Sequence, residues 1–196
     1  MKKIEIIWRE LLFQSIEKKR RRFTQKDLAK KFGFSTSTVF QALKVPRKMG
    51  AVRVSGRFFV LEDPEKLLYH WASVRNPKQD LILKGRVDLP IFELESQVPP
   101  QTIFGGYTAA RLKLKTVPAD YDKILLYAPN QEIIKKRFKI ERRRENLFVL
   151  KADQFLKTYG QTTTFAQTFV DLWNQPEWYA KEFTRALKEK IDELLS

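Results

Sequence analysis

The sequence predicts an α+β chain in two unequal parts: a small basic unit of helices closed by a β-hairpin, then a larger α/β unit that ends in helices. Three observations carry this. Apolar residues recur at helical spacing from Ile4 to Leu43, then alternate like a strand from Ala51 to Val60. Positive charge is concentrated on the same stretch: residues 1–63 hold sixteen Lys and Arg against six Asp and Glu, a net +10 out of the chain's +15. Later in the chain, apolar strand-like runs and capped amphipathic segments alternate, as in α/β units.

In the first part, Ile4, Ile7, Trp8, Leu11, Leu12 and Ile16 form one apolar stripe, which makes the N-terminus an amphipathic helix. The helix runs into Lys18-Lys19-Arg20-Arg21-Arg22. Cations at a helix C-terminus complement its dipole, and the same side chains can clamp a backbone phosphate. Thr24 can cap a second helix, with Leu28, Ala29 and Phe32 as its buried face and Gly33 as its left-handed stop. Ser35 can cap a third, in which Val39 and Leu43 point inward and Thr36, Ser37, Thr38, Gln41 and Lys44 point outward. Short hydroxyl, amide and cationic side chains at the start of such a helix suit base edges in a major groove.

Pro46 falls where this third helix would continue. Proline has no N–H and disfavours helix at the residue before it, so the helix is expected to stop or kink near Lys44, with Arg47, Lys48 and Met49 forming a separate turn that ends at Gly50. Ala51–Val60 then alternates around Ser55-Gly56, a dipeptide suited to a tight hairpin, with Val52, Val54, Phe58 and Val60 toward the core and Arg53 and Arg57 beside the turn. These parts together spell a winged helix-turn-helix. Thr36, Ser37, Thr38 and Gln41 are the expected base readers. Arg20, Arg21, Arg22, Lys44, Arg47, Lys48, Arg53 and Arg57 are the expected phosphate holders, and Thr24, Gln25, Ser35 and Ser55 complete the surface. The plainer reading of the same unit is a domain that docks a protein; its +10 charge argues for a polyanion instead.

Pro64 can open a helix reaching Trp71 or Val74, and Asn76-Pro77 breaks the chain, so residues 1–63, 64–80 and 81–196 are read as DNA-binding unit, helical linker and C-terminal unit. Residues 81–103 carry little pattern, and Ile91–Leu94 suits a short helix or a strand equally. Gly105-Gly106 precedes a helix with Ala109, Ala110, Leu112 and Leu114. Ile124–Ala128 reads as a buried strand, and Asn130 caps a helix bearing Ile133 and Ile134. Phe138–Glu141 and Asn146–Leu150 read as two strands around Arg142-Arg143-Arg144-Glu145, and Ala152–Tyr159 as helix. Thr164 caps a helix with Phe165, Phe169, Leu172 and Trp173. Pro176 opens the last helix, with Tyr179, Phe183, Leu187, Ile191 and Leu194 on its inner face.

The chain has no cysteine, which excludes disulfides, thiolate metal sites and cysteine nucleophiles. Its one histidine, His70, cannot form a histidine metal cluster and is read as packing. No metal and no cofactor is expected. No apolar run reaches membrane-spanning length and no signal peptide is visible, so a cytoplasmic location without membrane attachment is expected. Arg142–Arg144 is read as a solvated hairpin tip that could also extend a DNA footprint or meet an acidic partner. Trp173, Trp178 and Tyr179 are read as core rather than as a platform for bases.

The order of parts, with Phe104-Gly105-Gly106-Tyr107-Thr108-Ala109-Ala110, a strand ending in Leu126-Tyr127 and the late Phe169-Val170-Asp171-Leu172-Trp173-Asn174, resembles the AbiEi-like antitoxins of type IV toxin–antitoxin systems and related transcriptional regulators. The resemblance covers nearly the whole chain on short motifs. It implies a winged helix that represses its own operon, and a C-terminal domain of degenerate nucleotidyltransferase-like shape that antagonises a nucleotidyltransferase-type toxin. The expected partner is double-stranded operator DNA, bound by one copy or by a homodimer on an inverted repeat. The Pro46 interruption departs from the family pattern.

An enzymatic alternative is a metal-dependent nucleotidyltransferase tethered to nucleic acid by the winged helix. Such enzymes place paired glycines ahead of an Asp-x-Asp whose carboxylates hold Mg²⁺, and Gly105-Gly106 precedes Asp120-Tyr121-Asp122 here. Against it, Tyr107 follows the glycines in place of a small hydroxyl residue, Asp120 and Asp122 precede the apolar strand, Lys123 adjoins them, and Asp153 is only the nearest third carboxylate. The non-enzymatic reading is therefore preferred.

Overall fold

A computed structural model describes all residues, Met1–Ser196, as an α+β fold of nine α-helices and two β-sheets. The N-terminal unit runs α1 (Lys3–Lys18), β1 (Arg22–Phe23), α2 (Gln25–Phe32), α3 (Thr36–Lys48), β2 (Val52–Ser55) and β3 (Phe58–Leu61), with the strands antiparallel in the order β1-β3-β2. Thr24 caps α2 by accepting the Asp27 N–H at 3.0 Å, and Gly33 ends it at φ +62°. Ser35 caps α3 by accepting the Thr38 N–H at 3.1 Å.

Two expectations in this unit are corrected. First, α3 does not stop near Lys44; it continues through a buried Pro46 to Lys48. Residue 46 has no N–H to give the Ala42 carbonyl one turn back, and an unpaired buried carbonyl would be costly. The Trp8 indole N–H, reaching across from α1, donates to that carbonyl at 2.7 Å in a buried position. A tertiary donor thus replaces the lost helical one. Second, the inward face of β3 is Phe59 and Leu61, at 1% and 0% exposure, not Phe58 and Val60. Val54 on β2 is likewise exposed rather than in the core. The run Phe58-Phe59-Val60-Leu61 is apolar throughout, so alternation cannot fix its phase; the pairing Val52↔Leu61 and Val54↔Phe59 does. The turn centres on Gly56-Arg57, and Gly56 at φ +58° supplies the left-handed residue of a two-residue hairpin.

The second sheet has the order β4-β7-β6-β5, formed by β4 (Leu81–Gly85), β5 (Ile103–Gly105), β6 (Ile124–Ala128) and β7 (Leu147–Lys151). Here β6 and β7 are parallel while both outer pairs are antiparallel. All five residues of β6 are buried. Ile124, Leu126 and Ala128 face a core shared with Leu94 of α5 (Ile91–Ser96) and Ile134 of α7 (Glu132–Lys135), which settles Ile91–Leu94 as helix. Leu125 and Tyr127 face the opposite side, with Ile103, Leu150 and Leu156. Phe138–Glu141 is not a strand: only Glu141 bridges, to Arg86, because β7 pairs with β4 and β6 instead of turning back on residues 138–141. Ala152–Tyr159 is likewise reduced to one 3-10 turn, Leu156–Tyr159.

The largest core joins the two ends of the chain. It contains Trp8 and Leu11 of α1, Leu43 of α3, Leu67, Leu68 and Trp71 of α4 (Pro64–Val74), Tyr107 of α6 (Gly106–Leu114), Phe169 of α8 (Phe165–Trp173), and Phe183 and Leu187 of α9 (Ala180–Leu195). The segment expected as a linker is therefore built into shared packing. Buried charge spans the same seam. The Arg9 guanidinium on α1 is fully buried and donates twice to Asp153, at 2.7 Å each. Arg75 donates to Asp80 at 2.5 Å and Glu5 at 3.3 Å and lies 3.9 Å from Asp171, which accepts the Tyr127 hydroxyl at 2.6 Å. Burial pushes the Asp171 carboxyl up to about 6 against the opposing pull of Arg75. His70 stacks edge-on against Trp8 at 5.0 Å, and burial lowers its pKa. No helix is long and apolar enough to cross a membrane.

Candidate nucleic-acid interface

Two features of the N-terminal unit collect the expected site residues. The first is the outer face of α3. Because Val39, Ala42, Leu43 and Pro46 turn inward, the helical period leaves Thr36, Ser37, Phe40, Gln41, Lys44, Val45, Arg47 and Lys48 exposed. The continuous helix keeps Arg47 and Lys48 in register with Gln41 and Lys44, where a break at Pro46 would have swung them away. Among the hydroxyls the structure divides the expected set. Ser35 is committed to the cap and lies 2.9 Å from the Thr38 hydroxyl, and Thr24 caps α2. The Thr36, Ser37 and Gln41 side chains carry no such bond and point to solvent. Gln25 and Ser55 are half-buried.

The second feature is a groove lined by Lys19, Arg20, Arg21, Arg22, Phe23, Thr24, Arg57 and Phe58. It brings five cations together with no carboxylate in the lining. Two guanidiniums are held over aromatic rings: Arg22 sits 3.4 Å from the Phe58 ring centroid, and Arg20 sits 5.7 Å from that of Phe23 while its Nε–H donates to the Arg22 carbonyl at 3.2 Å. Such stacking orients a planar cation without neutralising it. Arg57 projects from the hairpin turn. Arg53 differs, because its Nε–H is engaged by Glu62 at 2.6 Å. Lys19 and Arg21 also differ: they donate to the carbonyls of Leu194 and Leu195, capping the C-terminal end of α9. Arg20, Arg22 and Arg57 are thus the groove cations that neither pair with a carboxylate nor cap α9.

The sequence reading missed Phe40. It is 43% exposed on a face formed mostly by polar residues, with Val45 the other exposed apolar side chain of α3 at 44%, and the Arg47 guanidinium lies 5.9 Å from its ring centroid. Its place four residues after Thr36 and four before Lys44 was the available signal.

The carboxylates of the enzymatic alternative lie elsewhere, in a shallow depression with Lys123, Arg144, Glu177, Trp178 and Tyr179. Asp122 accepts the Tyr179 hydroxyl at 2.6 Å and pairs with Arg144 at 3.2 Å, while Lys123 pairs with Glu177. Asp153 is not brought to them but is clamped by Arg9. No three His, Asp or Glu side chains of the chain converge as a metal cage. Gly105 and Gly106 have a packing reason instead: a Cβ on Gly105 would fall 2.9 Å from the Tyr127 ring, and Gly106 holds φ +51° with a Cβ position 3.1 Å from Leu125. Arg142–Arg144 is exposed, with Arg143 paired to Glu141 and Asp88. Of the aromatics expected in the core, Tyr179 is buried, but Trp173 and Trp178 are 51% and 76% exposed. Trp178 precedes α9, which starts at Ala180 rather than at Pro176. Compared with known proteins, the chain matches no family model, no curated sequence and no solved structure.

Proposed function

We propose that the chain is a sequence-specific double-stranded DNA-binding regulator, with its N-terminal unit working as a winged helix-turn-helix. The observation that carries the reading is the groove in which Arg20, Arg22 and Arg57 present charge paired with no carboxylate beside the hairpin. Support comes also from element order: helix, strand, helix, helix and two-stranded hairpin is the order in which such domains set a recognition helix beside a wing. In this reading α3 enters the major groove, where Thr36, Ser37 and Gln41 meet base edges and Lys44, Arg47 and Lys48 meet phosphates. Arg20, Arg22 and Arg57 hold the backbone alongside. The resemblance in sequence extends the proposal to autorepression in the cytoplasm and to antagonism of a nucleotidyltransferase-type toxin by the C-terminal unit.

The test is the salt dependence of duplex binding in single variants. Each phosphate contact contributes about 0.9 to the slope of log K against log salt. Arg57→Ala is expected to flatten the slope by about one and weaken all sequences alike, whereas Arg53→Ala, already paired with Glu62, changes it little. An Arg57→Ala chain that alters sequence preference at an unchanged slope would contradict the assignment of the hairpin to the backbone.

A further inference from the structure

We infer that Phe40 reads a thymine, by packing its ring against the C5-methyl group in the major groove; the inference rests on the DNA-binding reading above. Phe40 belongs to neither side of the usual division of a helix. The inward face of α3 is complete without it, formed by Val39, Ala42, Leu43 and Pro46. It forms no aromatic pair, unlike Phe23, Phe32, Phe34 and Phe59 of the same unit. It stands 43% exposed, one turn beyond Thr36 and beside Gln41. A lone exposed apolar side chain is ordinary on a protein surface. This one lies on the face that carries Thr36, Ser37 and Gln41, between Thr36 one turn before it and Lys44 one turn after.

The chemistry of base edges restricts what such a ring can recognise. Donors and acceptors line the major groove, and the thymine methyl is its one apolar group. Gln41, the next residue, has the side chain that pairs bidentately with adenine. An aromatic and an amide side by side therefore suit an A·T-containing step. Arg47, 5.9 Å from the ring centroid, is placed to hold the ring while its own charge faces the backbone.

The experiment selects duplexes from a randomised pool with the full chain, then replaces each thymine of a selected duplex by deoxyuridine, which lacks only the methyl group. At one or two positions the parent chain is expected to bind the uracil duplex about fourfold more weakly, the equivalent of one buried methyl. Phe40→Ala is expected to bind both duplexes equally, and Phe40→Leu to keep part of the discrimination. An unchanged salt slope on the unselected pool shows that the variants remain folded and keep their backbone contacts. Discrimination that survives in Phe40→Ala, or no position sensitive to the methyl, overturns the proposal while leaving DNA binding intact. A Phe40→Ala chain altered in self-association but not in duplex binding makes the face an interface between copies and also overturns it. Failure to bind any duplex overturns the functional reading itself.

Discussion

The bond from Trp8 to the Ala42 carbonyl explains why α3 passes through a proline, and it yields a double-mutant cycle. Trp8→Phe keeps a ring on α1 but removes the indole donor to that carbonyl, a donor that Pro46 cannot replace. Loss of this bond at a buried carbonyl costs about 1–3 kcal/mol, and the smaller ring adds some lost packing. Pro46→Ala restores an N–H at the position from which a helix normally supplies this bond. In the parent background, Trp8→Phe should therefore cost the full amount; in the Pro46→Ala background it should cost only the packing. The expected coupling is about 1–2 kcal/mol, measured from urea unfolding curves of the parent, both single variants and the double variant. Sites that are far apart and share no partner add to within about 0.5 kcal/mol. A coupling inside that margin would refute the claim that the indole substitutes for the missing helical donor. The same cycle bears on function, because Arg47 and Lys48 share the exposed face with Gln41 only while α3 is continuous.

Two further outcomes follow from the interior. Asp171 titrates near 6 in the folded chain and near 4 when unfolded, so between these values the folded state holds the extra proton and stability falls as pH rises. The unfolding free energy of the parent relative to Asp171→Asn should drop by about 2–3 kcal/mol from pH 4 to pH 7 and then level off; parallel curves would show that the carboxyl is not held above its ordinary range. Gly106→Ala must place a methyl 3.1 Å from the Leu125 Cβ at φ +51°, and it should lower stability by about 1–3 kcal/mol in thermal or denaturant melts. An unchanged midpoint would remove the packing explanation for the paired glycines.

The helices of the N-terminal unit were legible because their signals are local. Thr24, Ser35 and Gly33 act within a few residues of themselves, and the stripe from Ile4 to Ile16 repeats often enough to fix its phase. What was not legible depends on distant partners. Pro46 looks like a stop until Trp8, far earlier in the chain, supplies the donor it lacks. The phase of Phe58–Leu61 is undecidable from four apolar residues and is set by pairing with β2. Residues 138–141 carry a strand-like pattern but lose the competition for β7 to β4 and β6. Arg9, Arg75 and Asp171 carry no mark in the sequence that they are interior. Apart from the Arg75–Asp80 pair, the charged and hydroxyl groups that hold them there lie 44 or more residues away. Within the candidate interface, the basic residues were visible as composition. Their division into cations committed to α9 or Glu62 and cations left for a ligand required the fold.

Sequence-specific recognition of a duplex by α3 and the hairpin groove is what everything proposed for this chain depends on. It is decided by a salt-titrated mobility shift on the duplex upstream of the chain's own gene, competed with a scrambled duplex of equal length. A preference of about three decades or more for the upstream duplex is expected, at a slope that falls by about one in Arg57→Ala. Equal affinity for both duplexes, or no binding at low salt, would contradict it.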